Sequence, residues 1–245
     1  MTQSHETPFD SLAGLNPAQR EAVLHTQGPL LIVAGAGAGK TKTLTERIIH
    51  IISTGVSPEH ILAITFTNKA ATEMRERVAK KIAERHIHGM PTLTTFHRLG
   101  ASIIRDNAAY FGLTKHFGIA DEEDARSIIR EAMRNLGIDP KVLDPKRVKH
   151  LISESKMAGR TPDTAANFIE SHAESEAVRI WRIYETKLRE SKCVDFDDLI
   201  VKTVRILETE PIVRERYQKQ YQYIHVDEYQ DTSDMDYRMV KALAG

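Results

Sequence analysis

The chain has 245 residues, enough to bury a substantial core in one or two domains. Its 34 basic and 34 acidic side chains balance, so whole-chain charge argues neither for nor against nucleic acid, and any such face must be local. The single cysteine, Cys193, excludes an internal disulfide and fits a reducing compartment; with no apolar stretch of membrane-spanning length and no secretory leader pattern, a soluble cytoplasmic protein is expected.

Residues 1–14 read as a loose leader, and Asn16-Pro17 as a helix start with Asn as N-cap and Pro at the first helical position. The apolar run Leu30-Leu31-Ile32-Val33 predicts a short buried strand. A helix is expected from about 40 to 54, with Leu44, Ile48, Ile51 and Ile52 on one face. Ile61–Thr65 predicts a second buried strand, followed by a long helix from about 68 whose apolar stripe is Ala71, Met74, Val78 and Ile82. Thr92–Thr95 reads as a third strand, leading into a helix through Ile103 and Ile104. This alternation implies α/β architecture, a parallel sheet covered by helices. From about 110 to 220 the periodicity is helical. One helix opens on Asp121–Asp124 and stops at Gly137, another starts at Asp144-Pro145, and a third is lined by Ala177, Trp181, Tyr184 and Leu188. β character returns at 222–227.

Between the first strand and its helix stands Ala34-Gly35-Ala36-Gly37-Ala38-Gly39-Lys40-Thr41. Strand, glycine-rich turn and Lys-Thr at a helix start form the layout of a phosphate-binding loop. The glycines let several N–H groups point into one concavity, and the helix places its positive dipole end there. Lys40 is placed to reach the β/γ-phosphates of ATP, and the Thr41 hydroxyl to hold Mg²⁺. Ala34 occupies a position where the general pattern asks for Gly. At the far end of the chain, Tyr223–Val226 runs into Asp227-Glu228. Asp227 suits a magnesium-holding acid at a strand end, and Glu228 a base that polarises the attacking water. Two acids ahead of the helix beginning at Ser233 also read as helix-start charges.

Lys40 and Asp227 are separated by most of the chain, yet both must meet one magnesium. A βαβ unit needs only some tens of residues, so the helical block is expected to be an insertion. The expected division is a RecA-like ATP-binding domain of residues 1–110 and 195–245, C-terminally incomplete, with an inserted helical subdomain of residues 111–194. Four candidate strands, the last close to Gly245, lead us to expect the N-terminal part of a longer motor.

Six segments sharpen this: Leu15–Gln19, Ala34–Thr41, Ile64–Ala71, Thr95-Phe96-His97, Asp195–Leu199 and Asp227–Thr232. Their order resembles the UvrD/Rep/PcrA-type helicases of superfamily 1, from about residue 15 to the end. In that family Ala34 is usual, whereas Ala38 stands where Ser is commoner. The resemblance implies a P-loop (RecA-like) fold and ATP-driven 3′–5′ translocation on single-stranded DNA, with unwinding at single-strand/duplex junctions. It implies that Ala34 to Lys42 surround the nucleotide and that Gln19 reads the adenine edge. An amide can pair with N6 and N7 of adenine.

The resemblance further implies DNA contacts at Phe66, Thr67, Asn68 and Lys69, with Phe66 as a stacking face, and at Thr95, Phe96 and His97. Read alone, Phe66 is core and Asn68 a helix N-cap. Gln230 is implied to couple the γ-phosphate to DNA. Asp195–Asp198 read as a helix cap without chemistry. Lys141, Lys146, Arg147, Lys149, Lys156 and Arg160 of the insert either face DNA or form a solvated basic surface. The family's second RecA-like domain, with arginines for the γ-phosphate, does not follow residue 232, so this polypeptide alone is expected to hydrolyse ATP poorly and not to unwind DNA. The competing readings are a stand-alone nucleotide- or DNA-binding module and the helicase subunit of a recombination nuclease.

Overall fold

A computed structural model describes residues 12–35 and 37–245. In chain order the elements are α1 (Pro17–Leu24), α2 (Lys40–Ser53), β1 (Ile61–Thr65), α3 (Asn68–Glu84), β2 (Thr92–Thr95), α4 (Phe96–Asp106), β3 (Gly118–Ile119) and α5 (Glu122–Leu136). They continue with α6 (Pro145–Met157), α7 (Pro162–Ala165), α8 (His172–Glu190), β4 (Cys193–Val194), α9 (Phe196–Thr209), α10 (Pro211–Gln220), β5 (Tyr223–Val226) and α11 (Asp234–Ala244). The chain divides into two compact units, one running up to Thr95 and resuming over Tyr217–Asp231, the other comprising Phe96–Arg216 and Thr232–Gly245.

The first unit is built on a parallel sheet in the order β2-β1-β5. All five residues of β1 are buried, as a central parallel strand covered on both faces requires. Ile48, Ile51 and Ile52 of α2 and Met74, Val78 and Ile82 of α3 close over Ile61, Ala63 and Leu93. The helix faces read from the periodicity are therefore the buried ones. Helix α3 starts one residue earlier than its asparagine suggests: extended Thr67 is the N-cap and accepts from the Ala70 N–H at 3.1 Å, leaving Asn68 as the first helical residue.

The strand expected over Leu30–Val33 does not form. Leu31 is 69% and Val33 87% exposed. Apolar character favours burial, but a strand exists only where its N–H and C=O groups are paired. Among the described residues the edge of β5 remote from β1 has no partner strand, so the sheet has three strands.

The second unit is helical apart from the short parallel pair β3-β4. Its main core gathers Ile129 and Met133 from α5, Val148 and Ile152 from α6, and Ile180, Trp181, Tyr184 and Leu188 from α8. The expected signals hold here. Asp121 caps α5 in a reciprocal capping box, and Gly137 ends it with φ +69°. Asp144 caps α6 and Asp195 caps α9. Helix α4 packs closely on α9 because Gly100 lacks a side chain, since a Cβ there would lie 2.1 Å from the Leu199 carbonyl oxygen. No helix among the described residues is long and apolar enough to cross a membrane.

Candidate nucleotide site

Helix α2 begins at Lys40 on a left-handed Gly39, φ +83°, preceded by Gly37 at φ +76°. These angles are closed to most side chains and turn the loop into the helix. No side chain caps α2, so its first N–H groups remain available to an anion beside the positive dipole end. Added Cβ atoms at Gly35 and Gly37 would meet nothing within 4 Å, and the loop is open to a ligand there. Ala34 is half-buried and Ala38 exposed; Ala36 lies outside the described residues.

Strand β5 brings the acids to the same place. The Asp227 N–H donates to the Ile64 carbonyl at 2.9 Å, extending the pairing with β1. The Asp227 carboxylate accepts from the Glu228 N–H at 3.0 Å, and the Thr41 hydroxyl lies near enough to favour its charged form. Lys40 Nζ lies 3.6 Å from Glu228 Oε2, and the Gln230 side-chain amide donates to the same oxygen. Glu228 takes a left-handed backbone, φ +51°, rare outside glycine, asparagine and aspartate. Burial, with the Glu228 charge, raises the Asp227 pKa against the opposing pull of Lys40 and Thr41. The Gln230 hydrogen bond and the Lys40 ammonium hold Glu228 below the usual carboxylate range. An ammonium, a hydroxyl and two carboxylates thus converge at the N-terminus of α2, a donor set that fits a magnesium–triphosphate.

Gln19 stands beside this loop. Its Oε1 accepts from the Asn16 N–H at 3.0 Å, closing the capping box of α1, and its Nε2 donates to the Ala38 carbonyl at 2.9 Å. Lys42 Nζ donates to the Gly14 carbonyl at 2.8 Å. The stretch around α1 is therefore fastened to the phosphate loop at two points.

The residues read as DNA contacts fall into different surroundings. Phe66 is half-buried, and Thr67, Asn68 and Lys69 are exposed at the C-terminal end of β1. Thr95 and Phe96 are 5% and 2% exposed. His97 is exposed and lies 5.7 Å, centroid to centroid, from Phe196, itself 51% exposed. Lys156 does not belong to a solvated basic face. It is 3% exposed and bonded to Asp195 and Asp198. Lys149 donates to Asp197 at 2.6 Å.

Sequence reading missed three features. Arg47, 7% exposed, donates to the carbonyls of Ala22 and His25 at the C-terminal end of α1. Phe196 was hidden inside a run read as a cap; its signal was an aromatic at the first helical position, where the side chain projects outward. His225 is buried two residues before Asp227, and its Nε2 has no hydrogen-bond partner among the described residues.

Comparison with known proteins agrees with this geometry. The family model for the UvrD/REP helicase N-terminal domain matches residues 15–245. The chain is 42% identical over 232 residues to the ATP-dependent DNA helicase PcrA of Leuconostoc citreum, covering 94% of this chain and 31% of the relative. It is 42% identical over 231 residues to PcrA of Staphylococcus aureus, with the same coverage of each chain. Against PcrA of Bacillus subtilis the identity is 41% over 236 residues, covering 95% of this chain and 31% of the relative. The chain thus spans about a third of the length of these relatives.

Proposed function

Since the chain belongs to the UvrD/REP helicase family through its N-terminal domain, we propose that it is the ATP-binding portion of a cytoplasmic 3′–5′ DNA helicase. The convergence of Lys40, Thr41, Asp227 and Glu228 carries this reading. In it, residues 1–110 and 195–245 form a P-loop, RecA-like domain and residues 111–194 its helical insert. Lys40 binds the β/γ-phosphates, the α2 N-terminus and the loop from Ala34 to Lys42 cradle them, and Gln19 reads adenine. Thr41 and Asp227 hold Mg²⁺, which when bound polarises the γ-phosphoryl group. Glu228 orients and deprotonates the attacking water, and Gln230 fixes the Glu228 carboxylate. Single-stranded DNA passes over Phe66, Thr67, Asn68 and Lys69, and over His97. In this reading hydrolysis by this polypeptide alone is slow, because the resemblance implies that the arginines that speed phosphoryl transfer by orders of magnitude belong to a second RecA-like domain.

Binding of a fluorescent ATP analogue with Mg²⁺ tests this. Lys40→Ala should weaken binding at least about tenfold, about 1.4 kcal/mol, with an unchanged circular dichroism spectrum. Glu228→Gln should bind as well as the unsubstituted chain. Normal binding by Lys40→Ala would refute the site.

A further inference from the structure

We propose that Arg47, which touches no part of the nucleotide site, is a positioning residue for base selectivity because it anchors the helix that carries Gln19. This rests on the nucleotide reading above and adds to it a residue outside the phosphate loop.

Helix α1 has only eight residues, too short to be stable by itself. Its N-terminal turn holds the one side chain that meets the phosphate loop, Gln19, through Ala38. Its C-terminal turn leaves carbonyls that no further helix satisfies. Arg47, from the middle of α2, supplies the missing donors: Nη1 reaches the Ala22 carbonyl at 2.7 Å and also the carbonyl of His25, the C-cap. A guanidinium is planar and permanently charged, so it suits two carbonyls at the negative end of a helix dipole. Burial lowers the Arg47 pKa, opposed by Tyr223 on β5, but the group stays charged. The same α2 whose first turn faces the phosphates therefore grips α1 about two turns further on. Gln19 is held between two fixed points, the reciprocal bonds with Asn16 and the Arg47 clamp. The first lies within α1 and its N-cap, and the second ties α1 to α2.

A base-reading amide must be placed to a few tenths of an ångström, because an amide that drifts loses both of its hydrogen bonds together. Phosphate binding draws chiefly on α2 and the loop, to which α1 contributes the Gln19 bond to the Ala38 carbonyl. Loosening α1 should therefore erase discrimination between bases and leave phosphate affinity intact. A residue with a merely structural role would reduce both.

The test compares affinities of the 245-residue chain for ATP, GTP and tripolyphosphate, each with Mg²⁺. Arg47→Met removes the charge and both donors, whereas Arg47→Lys keeps a single nitrogen able to donate to two carbonyls, as Nη1 does. Arg47→Met should lower the ATP:GTP affinity ratio towards unity, with ATP binding about tenfold weaker and tripolyphosphate binding changed less than about twofold, and Arg47→Lys should retain more of the selectivity. Hydrogen exchange should show faster exchange confined to the α1 amides. Gln19→Ala should match Arg47→Met in selectivity, with faster exchange limited to the first turn of α1, where the capping box is lost. An Arg47→Met chain that keeps the ATP:GTP ratio overturns the inference, as does equal loss of ATP and tripolyphosphate binding. If the unsubstituted chain shows no ATP preference, the assignment of Gln19 falls and this inference with it; if Lys40→Ala still binds tripolyphosphate, the phosphate site itself is misplaced.

Discussion

Lys156→Ala is expected to destabilise the helical unit by about 3–5 kcal/mol, the cost of leaving buried carboxylates without their cation. Lys156 projects from α6 into a closed cluster. Its Nζ lies 2.7 Å from Glu185, 3.0 Å from Asp195 and 3.0 Å from Asp198. Tyr184 adds a hydrogen bond of 2.8 Å to Asp195. Burial opposes the lysine charge, but the carboxylates of Asp198, Asp195 and Glu185 overcome it and hold the ammonium well above the ordinary lysine range. Burial pushes the Asp198 carboxyl up; at Asp195 burial acts the same way, but Lys156, the Asp198 N–H and Lys149 together outweigh it and keep that group below its usual value. Removing the lysine would leave Asp195 and Asp198 facing each other with Lys202, 3.6 Å from Asp198, and Lys149, bonded to the adjacent Asp197, as nearby cations.

The chain's one tryptophan makes this measurable. Trp181 is 2% exposed in the same core, and its Nε1 donates to Glu185, which itself contacts Lys156. Urea unfolding followed by tryptophan fluorescence should show the lowered midpoint. Replacing the charges together, Lys156→Met with Asp195→Asn and Asp198→Asn, should recover most of the loss, because paired removal of buried charge is close to neutral and Asn still caps α9. A loss below about 1 kcal/mol in Lys156→Ala would show that water reaches the cluster. The cluster also bears on the surface above it: Asp195 and Asp198 flank Phe196 in the first turn of α9, so the position of that exposed ring beside His97 is fixed by charges beneath it.

This cluster shows where sequence reading reaches its limit. The capping role of Asp195 was legible, since a cap is a contact between residues three apart. The partnership with Lys156 was not, because nothing local separates a lysine on a buried helix face from one in water. The same holds for the strand expected at Leu30–Val33. Its composition was read correctly as apolar, but pairing depends on what else reaches the sheet edge. By contrast, Lys40, Thr41, Asp227 and Glu228 were legible together, because each sits at a strand end or helix start with a distinctive local signature. The structure brings those signatures together at the N-terminus of α2. Arg47 lay beyond reach for the opposite reason: its partners are backbone carbonyls, which leave no trace in side-chain identity.

His225 leads to the second large effect, an acid instability seated in the first unit. The ring is 8% exposed on β5 and its Nε2 is unpaired among the described residues. Burial, reinforced by the Arg47 charge, pushes its pKa down to about 3 from an ordinary 6.5. The folded chain therefore holds the ring neutral while the unfolded chain protonates it below about pH 6.5. Protons bind the unfolded state preferentially in that window, so stability falls as the pH drops, by about 1.4 kcal/mol per pH unit. Between pH 8 and pH 5 the loss from this group is about 2 kcal/mol, and it approaches about 4 kcal/mol near pH 3, below which the folded ring also protonates and the loss levels off. His225→Leu keeps the bulk and removes both the proton site and the unpaired nitrogen. Hydrogen exchange at the β1 and β5 amides, measured from pH 8 to pH 5 and corrected for intrinsic rates, should show opening free energies that fall in the unsubstituted chain and hold nearly level in His225→Leu. Parallel pH dependence in the two proteins would mean that the imidazole finds a proton partner in the folded state and that the acid sensitivity of the sheet arises elsewhere.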